Sequence, residues 1–244
     1  MHMFFVEPRQ ISGNQVIITG ADVNHIRNVL RMKPGEIVRI SDEKDFCGQC
    51  RVDELLEDQI ILTVLEEADS TELPAEVTLF QGLPKGDKME WIIQKNTELG
   101  IARIVPVALK RSVVKLDAKK APAKVARWQA IAESAGKQSG RTRLPEVAQV
   151  MSYAQMLKES ADYDLLLLPY ESAEGMDAVR RLFAQAKPGM RIGILIGPEG
   201  GFEPSEVEAA VEAGWKVLSL GRRILRTETA GMTVMANLML QLEP

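Results

Sequence analysis

GILIGPEGGF, residues 193–202, runs an apolar, β-branched segment straight into three glycines, a proline and one carboxylate. The helical pattern PSEVEAAVEAG follows at 204–214, with Pro204 in its first turn and Gly214 at its end. A buried strand, a bare loop and a helix in that order form one unit of an α/β sheet.

Working outward, the same alternation holds from Val77 onward. EVTLFQGL (76–83), IVPVAL (104–109), DYDLLLLPY (162–170), RIGILIG (191–197) and WKVLSLG (215–221) read as strands. KMEWIIQKNTEL (88–99), AKVARWQAIAESAGK (123–137), GMDAVRRLFAQA (175–186) and TAGMTVMANLMLQL (229–242) read as helices, and Gly100 is a good helix-stop residue. The prediction is a parallel sheet with helices on its faces. Residues 1–72 follow another rule. QVIITG, EIVRISD, GQCRVDEL and DQIILTVLEE are short β-branched runs with turns between them, which predicts a small β-barrel. One helix, ADVNHIRNVLRM (21–32), interrupts it, with Asp22 as N-cap and Val23, Ile26, Val29 and Leu30 on one face. Polar DSTELPAE (69–76) marks the boundary, giving domains 1–72 and 73–244. No repeat or low-complexity segment is visible.

The 244 residues carry a net charge of −4. No apolar run approaches the roughly 20 residues of a bilayer span. MHMFFVEPRQ lacks the basic and apolar regions of a signal peptide, so a cytoplasmic protein with no membrane partner is expected. Cys47 and Cys50 form a CxxC inside a strand-like segment, and the only histidines are His2 and His25. Two small strand residues are expected there rather than a redox or zinc pair, and no metal is expected anywhere. Charge is uneven. Residues 51–76 hold nine acids and one base, whereas 110–143 hold ten bases and two acids. The basic run, with KKAPAK and KQSGRTR flanking a helix, points to a nucleic-acid partner rather than a merely solvated face.

Ligands of open parallel sheets bind beyond the carboxyl ends of the strands. Three unusual loops fall there: Pro169-Tyr170-Glu171, the glycine loop, and Gly221 through three arginines to Thr227-Glu228-Thr229. The glycine loop is neither G-x-G-x-x-G nor a P-loop, and Glu199 and Glu203 oppose a pyrophosphate. A ligand with little negative charge, held by closely approaching backbone, is the better match. S-adenosylmethionine, a nucleoside with a cationic sulfur, has that character. QGLPKGDKME (81–90) also lacks the fingerprint a dinucleotide enzyme would need.

LIGPEGGF, LSLGRRILRTETA, KGDKMEWIIQKNTELG and RWQAIAESAGKQSGR together resemble the SPOUT-class methyltransferases of uridine N3 in small-subunit (16S) ribosomal RNA. HIRNVLRMKPGE (25–36) is similar to the marker of that family's PUA-like RNA-binding domain. The resemblance spans essentially the whole chain. It implies a deep C-terminal trefoil knot, with knot and cofactor site at about 165–235, although knots are otherwise nearly absent from proteins. It implies a homodimer, with Met232, Met235, Leu238 and Met239 of the last helix at the interface, a face that is otherwise simply core. It implies S-adenosylmethionine as cofactor, held by Leu168, Pro169, Ile196, Gly197, Glu199, Gly200, Gly201, Leu220, Gly221, Ile224, Leu225 and Thr229, with Glu199 facing the sulfonium or the ribose, or else capping the helix at Pro204. Arg226 is the expected catalytic residue, stabilising the deprotonated base, with Glu228 as orienter or proton acceptor. Arg9, His25, Arg27, Arg31, Lys85, Lys88, Arg111, Lys137, Gln138, Arg141 and Arg143 are the expected RNA contacts, with Ser139 near the base, and Asn96 and Glu98 are further site candidates. A non-catalytic RNA-binding assembly factor of the same fold is the alternative.

Overall fold

A computed structural model describes residues 1–116, 119–170 and 175–243. Glu171 of the first predicted loop, and Asp117 and Ala118 of the basic run, lie outside the described residues. The chain forms two compact units. One is Met1–Glu72 with Gly136–Leu144; the other is Leu73–Ala135 with the residues from Pro145 onward.

The first unit is a curled six-stranded sheet. Its strands are β1 (Met3–Phe5), β2 (Ile11–Ser12), β3 (Gln15–Thr19), β4 (Ile37–Ser41), β5 (Cys47–Leu55) and β6 (Gln59–Glu67), in the order β1-β4-β5-β6-β3-β2. Only β1 pairs in parallel. Val16 and Ile18, Val38 and Ile40, and Ile60 and Leu62 are buried at two-residue spacing, which puts one face of each strand in a shared core. Cys50 joins that core on β5, and burial, with a smaller contribution from Cys47, pushes its thiol up to about 12. Both cysteines are free, in keeping with strand residues. The predicted helix 21–32 is shorter than expected. α1 (Ala21–Asn24) passes into a π-turn over His25–Val29. The wider turn rotates the following residues, so Val29 is 61% exposed instead of sharing the buried face of Val23 and Ile26. Gly20, not Asp22, is the N-cap, and Asp22 instead pairs with Lys137 at 3.3 Å.

The second unit contains the parallel sheet. Its strands are β7 (Glu76–Gly82), β8 (Arg103–Ala108), β9 (Glu146–Val147), β10 (Met151–Ser152), β11 (Leu165–Pro169), β12 (Arg191–Ile196) and β13 (Lys216–Leu218). The order is β10-β8-β7-β12-β11-β13, with β9 beside β8 on the same edge as β10. Between them run α2 (Lys88–Glu98), α3 (Ala121–Ser139), α4 (Tyr153–Glu159), α5 (Met176–Phe183), α6 (Pro204–Glu212) and α7 (Thr227–Leu242). β9, β10 and α4 were not predicted. The strands are two residues each, too short to show a period, although Ser152 and Gln155 carry a capping box that marks α4. Apolar side chains above and below the sheet form two cores, one around Leu79, Ile194 and Met235, the other around Phe80, Leu195 and Trp215. Among the described residues, no helix is long and apolar enough to cross a membrane.

Candidate active site

The loops after β11, β12 and β13 meet over one edge of the sheet. They enclose a cleft of about 1440 Å³ lined by Pro169, Tyr170, Ile196 to Phe202 and Ser219 to Thr227, with Lys88 from the start of α2 and Arg111 from the loop after β8. Of the predicted cofactor residues, Pro169, Ile196, Gly197, Glu199, Gly200, Gly201, Leu220, Gly221, Ile224 and Leu225 lie on its walls. Leu168 and Thr229 do not. Leu168 is fully buried in the core around Phe80, on the other side of the strand from its neighbour Pro169, and the Thr229 carbonyl accepts a hydrogen bond from Thr233 within α7.

The glycine loop is compact. Gly201 sits at φ +68° and its N–H donates to the Pro198 carbonyl at 2.9 Å. A Cβ at Gly197 would meet the Phe202 ring at 3.1 Å and the Gly201 backbone at 3.2 Å, so the two ends of the turn pack directly on each other. A Cβ at Gly82, where β7 ends, would meet Pro198 at 2.7 Å; a bare residue there lets the loop settle on the sheet. Arg111 holds the loop from outside. Its Nη1 donates to the Gly200 carbonyl at 3.1 Å and its Nε to Glu203 at 2.9 Å. That bond raises the Arg111 pKa and lowers that of Glu203.

Glu199 does not take the alternative role of capping the helix at Pro204. α6 is capped by Glu203 and Glu206 in a reciprocal pair. The Glu199 carboxylate instead accepts from the Lys85 N–H at 3.0 Å and from Lys88 Nζ at 2.8 Å. Burial opposes its charge, but these hydrogen bonds outweigh it and hold the carboxyl below its ordinary range. Lys88 Nζ also lies 3.8 Å from Glu228 Oε2, and Glu228 Oε1 lies 3.9 Å from Arg226 Nη1. Glu228 Oε2 is buried without a hydrogen-bond partner. The Arg226 side chain is 82% exposed, with its guanidinium free to reach a substrate. At the start of α7, Thr227 Oγ1 accepts from Gln81 Nε2 and donates to the Gly197 carbonyl.

The basic residues divide. Arg9, His25, Arg31, Gln138 and Arg143 are exposed in the first unit, and Arg27 is half-buried, with Nη1 donating to the Glu57 carbonyl. The Lys137–Asp22 pair brings KQSGRTR beside the helix of HIRNVLR. Arg141 turns inward: it is 4% exposed and its guanidinium is bonded to Glu72. In the second unit Lys85 is exposed, whereas Lys88 and Arg111 are engaged at the cleft. Asn96 is buried and donates to the Ile92 carbonyl, packed where α7 passes at Gly231, and Glu98 pairs with Lys95 at the surface. Sequence reasoning overlooked Gln81 and Gly82 as parts of the site. QGLPKG offered a dense turn signal, but nothing in it announced a partner more than a hundred residues away.

Residues 71–239 match the family model described as RNA methyltransferase domain, and 18–65 match the one described as RNA methyltransferase PUA domain. The chain is 40% identical over 230 residues to ribosomal RNA small subunit methyltransferase E of Bacillus subtilis, covering 93% of this chain and 90% of that protein. The Synechocystis protein of the same name is 32% identical, over 98% of this chain and 77% of its own. The crystal structure of ribosomal RNA small subunit methyltransferase E from Neisseria gonorrhoeae bound to S-adenosyl methionine superposes with a TM-score of 0.82, at 33% identity, covering 98% and 97% of the two chains. A two-unit chain with a glycine-walled cleft and matches of this extent belongs to the RNA methyltransferase family, with the ribosomal RNA small subunit methyltransferase E proteins as its relatives.

Proposed function

We propose that the protein methylates N3 of a specific uridine in small-subunit (16S) ribosomal RNA, with S-adenosylmethionine as methyl donor and the assembled subunit as substrate. The observation that carries the reading is the pairing of an exposed Arg226 with a partly buried Glu228 beside a glycine-walled cleft. The cleft residues fit the donor. Arg111, Arg222, Arg223 and Arg226 also line the cleft, so the fit to the donor's cationic sulfur is local: Glu199 and Glu228 place two carboxylates at one end, and one Glu228 oxygen is buried without a hydrogen-bond partner. Pro169, Ile196, Gly197, Gly200, Gly201, Leu220, Gly221, Ile224 and Leu225 would hold the donor, largely through backbone groups and apolar contact. When bound, it supplies an electrophilic methyl group on a sulfonium.

The chain's own task is then positioning. Uridine N3 becomes nucleophilic only on losing its proton, and the resulting charge spreads to O2 and O4. Arg226 stabilises that charge, and Glu228 orients Arg226 or accepts the proton. The base leaves its stack to reach the cleft. Arg9, His25, Arg27, Arg31, Lys137, Gln138 and Arg143, with Lys85, supply contacts to the RNA, most of them to phosphate.

Residues 1–72 act as a PUA-like barrel and 73–244 as a knotted SPOUT domain in this reading. Supporting the knot, β13 lies at the sheet edge beyond β11, yet Thr227 bonds back to Gly197 and Gln81 across the middle of the sheet. Of the expected interface residues, Met235 and Leu238 are fully buried in the core of the second unit and Met232 and Met239 are half-buried; supporting a homodimer, Trp91 on α2 and Leu240 on α7 are 62% and 77% exposed.

The test is methyl uptake from labelled S-adenosylmethionine into unmodified small subunits, followed by primer extension. Methylated N3 blocks the pairing edge, so reverse transcriptase stops at one uridine, and Arg226→Ala abolishes both signals. Uptake without a stop moves the methyl to another atom. Cofactor binding without uptake points to another RNA, and neither binding nor uptake points to a non-catalytic assembly factor.

A further inference from the structure

Lys88 opens α2, on the loop that leaves the central strand β7, and no motif singles it out as more than one cation among many. Its ammonium nevertheless stands between two carboxylates from different parts of the chain: Glu199 on the glycine loop at 2.8 Å and Glu228 on the first turn of α7 at 3.8 Å. The Lys85 N–H, three residues earlier, donates to the same Glu199 carboxylate. The segment after β7 therefore clips the glycine loop by two hydrogen bonds and reaches the helix that carries the Arg226–Glu228 pair by charge. The Lys88 side chain is 34% exposed, and its two acidic partners are 27% and 22% exposed, so solvent only partly screens the trio.

We propose that Lys88 is a positioning residue that couples the cofactor wall to the reacting arginine, holding Glu199 and Glu228 in one arrangement before substrate binds. It touches neither methyl nor base; it acts through the two carboxylates. Without it, Glu199 loses its side-chain donor and the glycine loop loosens, while Glu228 loses the ammonium 3.8 Å from its buried oxygen Oε2 and no longer holds Arg226 in one arrangement. A charge effect alone predicts the opposite for cofactor binding. Removing one positive charge beside two carboxylates makes the cleft more negative, so a cationic ligand would bind more tightly. Positioning predicts weaker binding.

The inference rests on the reading of the cleft as an S-adenosylmethionine site, and wild-type binding measured by calorimetry checks that first. If the wild type does not bind the compound, that reading fails. If it binds, Lys88→Met is compared with Glu199→Gln, Glu228→Gln and the two double variants, with Lys88→Gln as a second neutral substitution should Lys88→Met not fold. Lost charged hydrogen bonds of this kind cost roughly tenfold. Lys88→Met and Glu199→Gln should each weaken S-adenosylmethionine binding by about that factor, and the double variant should be no weaker than the worse single. Lys88→Met and Glu228→Gln should each slow single-turnover methyl transfer at saturating cofactor, again without adding. Lys88→Arg should restore most of both, and amide exchange over residues 197–203 of the cofactor-free protein should rise in Lys88→Met and Lys88→Gln but not in Lys88→Arg. Tighter or unchanged binding in Lys88→Met, or additive losses in either double variant, would overturn the proposal.

Discussion

The Thr227 hydroxyl donates to the Gly197 carbonyl at 2.6 Å, tying the first residue of α7 to the first residue of the glycine loop. The same oxygen accepts from Gln81 Nε2 at 2.9 Å, and Thr227 is 7% exposed. Valine keeps the shape of threonine and removes both bonds, leaving the half-buried Gly197 carbonyl without this donor and the buried Gln81 Nε2 with only its bond to the Gly82 carbonyl. Thr227→Val should cost about 1–3 kcal/mol of stability, read from urea unfolding, and should weaken S-adenosylmethionine binding in calorimetry. Thr227→Ser keeps the hydroxyl and should restore most of both.

Gly82 is held glycine by its neighbours rather than by its backbone angle. A Cβ there would meet Pro198 Cδ and a Leu109 methyl at 2.7 Å, closer than side chains tolerate. Pro198 is backbone-constrained and cannot yield as a flexible side chain would. Gly82→Ala should displace the glycine loop and destabilise the protein by roughly 1–3 kcal/mol, with a clear loss of cofactor affinity. Gly86→Ala, where a Cβ meets nothing within 4 Å but φ is +62°, should cost only about 1 kcal/mol and leave cofactor affinity intact. Equal cofactor affinities in the two variants would contradict this account.

The Glu199 carboxyl lies below its ordinary range because hydrogen bonds from Lys88 and the Lys85 N–H outweigh its burial. Its folded pKa is depressed, so its contribution to stability is present in full above the unfolded value, about 4.3 for glutamate, and disappears as pH falls through the lower folded value. Wild type should therefore exceed Glu199→Gln in stability at pH 7, and the gap should close on acidification. Chemical denaturation of both proteins between pH 7 and pH 3 measures it; a gap that persists at the acid end would refute the assignment.

Arg141 and Arg143 stand two residues apart in the same RTR motif and should behave oppositely. Arg141 is 4% exposed and bonded to Glu72, which also accepts the N–H groups of Thr142 and Arg143 at 3.0 Å. Arg141→Ala strands a partly buried carboxylate and should cost about 3 kcal/mol of stability. Arg143 is exposed, its Nε donating to the Glu43 carbonyl at 3.2 Å. Arg143→Ala should leave the melting temperature nearly unchanged, weaken RNA binding across sequences, and reduce the slope of log affinity against log salt by about 1.

By itself the sequence determined the longer elements, though not β9, β10 or α4, and the strand ends over which the cleft lies. Apolar runs of five or six residues alternating with amphipathic helices predict a parallel sheet. A glycine-rich turn after such a strand, with RTET after another, marks the carboxyl edge, because these signals are local and the chain carries them wherever it lies. Local signals failed where a neighbour decided the outcome. The π-turn at His25–Val29 exposed Val29 against a helical period, and Lys137 took Asp22 as its partner in place of the predicted cap. Arg141 and Arg143 look alike on paper; only Glu72, folded against one of them, separates a buried ion pair from a surface cation. Gln81, Lys88, Glu199 and Thr227 acquire their roles from partners more than a hundred residues away, and those partners depend on strand order, which no periodicity encodes. Tertiary structure decided these because a hydrogen bond or ion pair is fixed by proximity in space, and the parallel sheet places side by side segments that the chain keeps far apart.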